Sequence, residues 1–256
     1  MITLLSLPSW ALLLFLLVFF IGVGRSTLFV VQKYCKKFKV SERFSVGETA
    51  MSGVYALVLA FVTIGVWESH NKMEDVVAKE AGTLLNIYRL LDAYPITMRE
   101  EEKARIKIYI QAVINEEWPY MARDEISAVT VPKVMAILQP IVRYIPANNG
   151  EAAVQAESLR LISDYRELHV SRLEGARSLI GVYVWTTLIG SSFIFLLYLC
   201  FLNIQSRHLH SILIFLCSST IAWIFFLLIL YDRPFMGPAA ISPKPFSVLL
   251  NVYMKY

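Results

Sequence analysis

The sequence predicts an all-α integral membrane protein: four transmembrane helices and a helical extramembrane insert formed largely by extensions of helices 2 and 3. Three observations predict it. Apolar segments occupy Ser6–Val31, Gly47–Trp67, Leu179–Ile204 and Ile212–Tyr231, each long enough to cross ~30 Å of hydrocarbon at ~1.5 Å per residue. The chain is 57% hydrophobic, more apolar than an ordinary water-soluble domain. Charge is concentrated between the two pairs of segments. Residues 68–178 hold 17 of the 20 acidic and 14 of the 24 basic residues. The expected division is a first transmembrane hairpin over 1–67, a helical extramembrane domain over 68–178, a second hairpin over 179–231 and a Pro-rich interfacial tail over 232–256.

Met1–Gly24 carries no Lys or Arg before its apolar run and has no A-x-A site, so it reads as a retained membrane helix rather than a signal peptide. The connection after it carries Arg25, Lys33, Lys36, Lys37, Lys39 and Arg43, and that between the last two segments carries Arg207, His208 and His210. The positive-inside rule puts both in the cytoplasm. The N-terminus, the C-terminus and residues 68–178 are then extracytoplasmic. Trp10, Trp67, Trp185 and Tyr231 fall near one outer interface, where aromatic residues collect.

No Gly or Pro separates Trp67 from the charged residues after it. The second membrane helix is therefore expected to continue to about Ala93, where Pro95 ends it. Thr97 and Glu100 form a T-x-x-E capping signal for a helix whose apolar face is Ile106, Tyr109, Ile110 and Val113. A shorter helix is expected from Val131 to Tyr144, with Pro132 in its first turn. Pro146 and Asn148-Asn149-Gly150 make a turn. A helical pattern from Glu151 then runs to Gly175 and on into the third membrane helix.

Enzyme signatures are missing. His70, His169, His208 and His210 are scattered, and no H-E-x-x-H, G-x-S-x-G or phosphate loop occurs. Cys35, Cys200 and Cys217 form no C-x-x-C pair, which argues against a disulfide framework or zinc site. No enzyme activity, cofactor or metal is expected. The excess positive charge lies beside the membrane segments and is a topology signal, not a nucleic-acid footprint. Glu100-Glu101-Glu102 and Glu116-Glu117 read as solvated helix faces.

Two constellations could carry function. Glu48, Ser52, Ala56, Leu59, Thr63, Val66 and His70 share one face of the second membrane helix at three-four spacing. Glu48 to His70 spans about 33 Å of helix. The stripe suits a pore wall, with ionisable groups near its ends, and equally a packing face made of small residues. The second lies in the insert, where Met73, Val77, Glu80, Leu84, Ile87 and Leu91 follow a heptad-like pattern with Glu80 at an inward position. Leu161, Leu168, Arg172 and Leu179 do the same on the returning helix with Arg172. Glu80 and Arg172 could form a structural ion pair, or Glu80 carboxylates could ring a subunit interface and bind cations. In the tail, Asp232-Arg233-Pro234-Phe235 ends the last membrane helix, and Asp232 and Arg233 could pair locally.

Several stretches together carry a resemblance. They are Gly53 to Val62 leading to Trp67; Lys79-Glu80-Ala81 with Leu84 and Tyr88-Arg89; Glu117-Trp118-Pro119-Tyr120-Met121; and a tail containing Asp232, Arg233, Pro234, Phe235, Met236 and Gly237, then Ile241, Ser242, Pro243, Lys244, Pro245 and Phe246. Over nearly its whole length the chain resembles the bacterial bestrophin-like membrane proteins, long catalogued as a domain of unknown function. The D-R-P-F-x-G and S-P-x-P-F tail is the most specific part. The resemblance implies a homo-oligomeric ion channel, pentameric if the likeness holds, in the bacterial inner membrane. Its partners would be the lipid bilayer, further copies of itself and inorganic ions. No pore residue is carried over, because the closely spaced phenylalanines of a bestrophin pore neck have no counterpart at the matching place. The stripe makes the second membrane helix the candidate pore lining, and Glu48, Glu68 and Glu80 on that helix slightly favour cations. The alternative is a non-conducting membrane sensor or scaffold with an extracytoplasmic helical domain.

Overall fold

The computed structural model describes residues 7–34, 45–125, 130–202, 204 and 206–254, with the backbone alone at 45–49, 130, 131, 135 and 138. The topology-setting cations Lys36, Lys37, Lys39 and Arg43 lie outside the described residues, as does Cys35. Among the described residues, four helices are long and apolar enough to cross a membrane. The chain divides into two units, Met1–Ser69 with Ser178–Asp232, and His70–Arg177 with Arg233–Tyr256.

The first unit contains α1 (Ser9–Tyr34), the N-terminal part of α2 (Ser45–Leu90), α7 (Val182–Phe201) and α8 (Arg207–Tyr231). One face of α1 is buried at Leu12, Leu16, Phe20, Gly24, Leu28 and Val31, the spacing of a single helical stripe. It meets Ile214, Ser218 and Phe225 of α8. The Phe20 and Phe225 ring centroids lie 4.9 Å apart. Gly24 permits a close approach, since a Cβ there would stand 2.4 Å from Ser218 Oγ and 2.9 Å from Ile214 Cγ2. Membrane helices associate through such fitted contacts because lipid supplies no hydrophobic drive between them.

The second unit contains the C-terminal part of α2, a 3₁₀ turn at Leu91–Ala93, α3 (Ile96–Ala112), a π-helical turn at Val113–Glu117, and α4 (Trp118–Met121). It continues with α5 (Thr130–Arg143), α6 (Asn149–Glu174), α9 (Lys244–Val248) and a π turn at Leu249–Tyr253. The heptad-like residues Met73, Val77, Glu80, Leu84, Ile87 and Leu91 are all buried, as are Ile106, Tyr109, Ile110 and Val113 of α3. α2 continues past Trp67 to Leu90, as its unbroken sequence requires.

Two expectations are corrected. The helix from Asn149 does not run into the third membrane helix; it stops at Glu174 and α7 begins at Val182. The interruption is held by Asp232, whose carboxylate accepts Ser178 Oγ at 2.8–2.9 Å and the Ile180 amide at 2.6 Å. Its carbonyl accepts the Leu179 amide at 2.8 Å. Captured amides in this turn are unavailable for a helical ladder. Asp232 is thus bonded to residues 178–180, and Arg233 Nη1 lies 2.5 Å from Asp124 Oδ1. In the tail, Phe235, Ile241, Phe246, Leu249 and Met254 belong to the core of the second unit. Thr97 does not cap α3; the helix starts after Pro95, whose carbonyl takes the Arg99 amide. At the start of α6, Asn148 does cap, accepting the Glu151 amide at 2.9 Å.

Candidate functional site

The spanning stripe on α2 divides into two sets. Leu59, Val66 and His70 are buried inside the chain. Ser52, Ala56 and Thr63 are not, and with Leu59 they line a groove of about 560 Å³ whose other walls include Tyr55, Phe195, Cys217 and Thr220. The Glu48 side chain lies outside what is described. The groove is lined mostly by apolar side chains. Thr220 donates to the Leu216 carbonyl at 3.0 Å. Ser192 donates to the Leu188 carbonyl at 2.6 Å, which leaves Tyr55 donating to Ser192 Oγ at 2.8 Å. Tyr55 also stacks on Phe195, with centroids 4.5 Å apart. A different face of α2 is open, with Val54, Leu57, Phe61 and Ile64 each at least half exposed.

The second unit encloses a cluster of ionisable groups in its core. Glu80, Glu117 and Arg172 have no exposed surface and His169 is 7% exposed. Arg172 Nε donates to Glu80 Oε2 at 2.5 Å and its Nη2 to Glu80 Oε1 at 3.1 Å. The same Nη2 also donates to Glu117 Oε1. The guanidinium lies under two aromatic rings, 4.9 Å from the centroid of Trp118 and 5.8 Å from that of Phe246. Cation–π contact supplements the ion pairs on the faces that no carboxylate reaches. His169 Nδ1 is 3.1 Å from Glu80 Oε1. Tyr165 donates to Tyr109, whose hydroxyl is 3.4 Å from the same His169 nitrogen.

Electrostatics derive from this geometry. Burial alone would raise the Glu80 carboxyl, but the Arg172 guanidinium and hydrogen bonds from His169 and Arg172 hold it below the usual carboxylate range. Burial would lower Arg172; Glu80 and Glu117 instead keep it above its ordinary value. Burial, then the nearby carboxylates for Tyr109 and the neighbouring Tyr109 and Glu80 for Tyr165, push both phenols well above their ordinary values, so both stay neutral.

The expected Glu80–Arg172 pair therefore forms within one chain. The same geometry removes the idea of a Glu80 ring at a subunit interface, because a fully buried carboxylate bonded to its own Arg172 presents nothing to a neighbour. Sequence reasoning missed Glu117, which it read as a solvated face. The π turn, closed by the Trp118 amide on the Val113 carbonyl, sits before Pro119, a residue that cannot donate to the preceding turn. It inserts a residue into the helix and rotates the next turn by about 100°. The Trp118-Pro119 pair was the available signal. Trp118 also ties down the tail, its Nε1 donating to the Ile241 carbonyl at 3.0 Å and its ring standing edge-on to Phe235 and Phe246. Among the described residues, no three His, Cys, Asp or Glu side chains are grouped to hold a metal ion.

A family model described as the bestrophin-like domain matches residues 13–246. No curated protein matches the chain. Among solved structures, similar folds include a bacterial bestrophin homologue from Klebsiella pneumoniae carrying a leucine-to-threonine mutation, and a membrane protein carrying a proline-to-alanine mutation. Each is 10% identical, covers 94% of this chain and 97% of its own, and superposes with a TM-score of 0.68. The superposition establishes a common fold.

Proposed function

The chain belongs to the bestrophin-like family, and on that premise we propose that it is the subunit of a homo-oligomeric ion channel with α2 lining the pore. The observation that carries this reading is the family match over nearly the whole chain, together with a bestrophin-like fold of four apolar helices. Ser52, Ala56 and Thr63 are the stripe residues that remain open for pore lining, since Leu59, Val66 and His70 are occupied inside the chain. Glu48 and Glu68 are the acidic residues of α2 proposed to favour cations, Glu80 being paired with Arg172. Subunit number takes the family implication of a pentamer. The proposed location is the bacterial inner membrane, with the termini and residues 68–178 outside.

Planar-bilayer recording of the purified oligomer tests conduction. Ser52→Trp and Thr63→Trp are expected to reduce conductance strongly and Val58→Trp much less. Equal effects at all three positions would remove the support for α2 as the lining. Silence of a folded oligomer across ions and voltages would favour the sensor or scaffold reading. Cysteines placed at Lys37 and Asn149 report orientation. Position 149 is expected to label from outside, and outside labelling of position 37 would invert the topology.

A further inference from the structure

Between Ser9 and Gln32, α1 carries a single charge, that of Arg25. The buried stripe of the helix runs through Gly24 and Leu28. Arg25 is turned out of that stripe and exposed. It makes no hydrogen bond or ion pair among the described residues. A charge on the outer face of a membrane helix is costly unless an opposite charge or the headgroup layer meets it.

The depth of Arg25 follows from its neighbours in the first unit. α7 has 20 residues, about 30 Å of rise, which matches the ~30 Å of hydrocarbon a span must cross. Its last turn therefore marks one edge of the hydrocarbon. In that turn Cys200 Sγ donates to the Gly24 carbonyl at 3.9 Å, so Arg25 stands at the same depth. From Arg25, α1 continues for about 13 Å to Tyr34, through the headgroup layer. The described carboxylates of this unit lie elsewhere. Asp232 is about 21 Å along α8 from Ser218, the residue beside Gly24, and is bonded to residues 178–180. Glu68, at the far end of the next span, falls on the opposite side of the membrane.

A second cation stands on the same face. Arg25, Phe29 and Lys33 are spaced four apart, and all three are exposed. Lys33 Nζ lies 5.9 Å from the Phe29 ring centroid and 5.2 Å from that of Tyr34, which turns its ammonium back toward Arg25. α1 and α8 are antiparallel, with Phe20 beside Phe225 and Gly24 beside Ser218. Exposed Arg207, at the start of α8, therefore falls at the same end. Toward the hydrocarbon, Val18 and Gly22 are exposed on this face, and nothing lies within 4 Å of a Cβ built at Gly22.

We propose that this face of α1 binds one anionic membrane phospholipid, with Arg25 holding its phosphate, Lys33 adding a second positive charge and an acyl chain lying along Gly22 and Val18. A planar guanidinium presents paired donors to phosphate oxygens. A lipid brings its phosphate to the hydrocarbon edge with its chains on the apolar side. A headgroup with its own ammonium would meet Lys33 and Arg207 as like charges, so the site selects lipids of net negative charge. The site lies on the first unit alone and stands whether or not the protein conducts.

The test uses the full-length protein in an uncharged detergent, titrated with phosphatidylglycerol, phosphatidylcholine or inorganic phosphate. Thermal unfolding and native mass spectrometry are the readouts. Phosphatidylglycerol is expected to raise the unfolding temperature and to stay bound at one molecule per subunit, while phosphatidylcholine and inorganic phosphate do neither. Arg25→Gln is expected to need about tenfold more phosphatidylglycerol for the same effect, the worth of one hydrogen bond to a charged group. Arg25→Lys should fall between the two, and Arg160→Gln, on the second unit, should match wild type. Without lipid, Arg25→Gln and wild type are expected to unfold at the same temperature. Equal responses of Arg25→Gln and wild type to phosphatidylglycerol would overturn the proposal. So would equal stabilisation of wild type by phosphatidylcholine, or by inorganic phosphate. A loss in Arg25→Gln as large without lipid as with it would assign Arg25 to a protein carboxylate and overturn the proposal as well.

Discussion

Arg172 has no exposed surface and bonds two carboxylates while two aromatic rings cover its faces. A guanidinium in that position is held by everything around it, and removing it strands both acids. Arg172→Met is therefore expected to cost about 3–5 kcal/mol, the range for breaking a buried pair from one side, read as a drop in unfolding midpoint in denaturant. Exposed pairs such as Arg160–Glu157 are worth far less, and Arg160→Met is the matched control. Acid has a defined sign at Glu80. Its carboxyl is held below the free value by Arg172 and its hydrogen bonds, so its contribution is present above the free glutamate range, near pH 4.3, and fades as pH falls through the lower folded value. Glu80→Gln is expected to be less stable than wild type at neutral pH, with the gap narrowing in acid; an unchanged gap from neutral to acid would contradict the assignment. Residue by residue, the sequence is informative where period and charge agree. Glu80 and Arg172 are legible because each stands at an apolar position of a helical repeat. Glu117 is not, because its burial depends on a π turn and on a partner 55 residues away.

At the scale of elements, α2 is legible because nothing in its sequence can end it before Leu90. The break between α6 and α7 is not. Gly175 alone does not stop a helix, and the residues after it are ordinary. What stops the helix is Asp232, more than fifty residues later, which takes up Ser178, Leu179 and Ile180. Asp232→Ala is expected to lower stability by about 1.5–3 kcal/mol, the worth of hydrogen bonds to a charged group, and to speed hydrogen exchange at Leu179 and Ile180. Equal exchange rates in the two proteins would show that the turn holds itself. The contact of α1 with α8 depends on Gly24. Gly24→Val forces side-chain atoms into Ser218 and Ile214, and overpacking of this kind costs about 1–3 kcal/mol. A lower melting temperature in detergent is the expected result, while Gly22→Val, with nothing within 4 Å of its Cβ, should be near neutral.

At the scale of the whole molecule, the tail reads as a membrane-interface segment because proline-rich, apolar sequence fits that place. Its side chains Phe235, Ile241, Phe246, Leu249 and Met254 form part of the second unit's core. Deleting residues 233–256 would open the core around Trp118 and Arg172, and exchange throughout α3 and α6 is expected to rise, not merely at the cut end. The hydropathy layout, the four apolar helices and the inward faces of α2 and α3 came from the sequence alone, because periodicity and length are local properties of a chain. Family resemblance was also legible, carried by the tail and the Trp118-Pro119 pair. Tertiary structure alone decided which stripe residues of α2 stay open, that Glu80 pairs within its own chain, that Glu117 and His169 join it, and where the third membrane helix begins. Each of those depends on a partner distant in sequence, and a buried charge or captured amide takes its position from the group that neutralises it rather than from its neighbours along the chain.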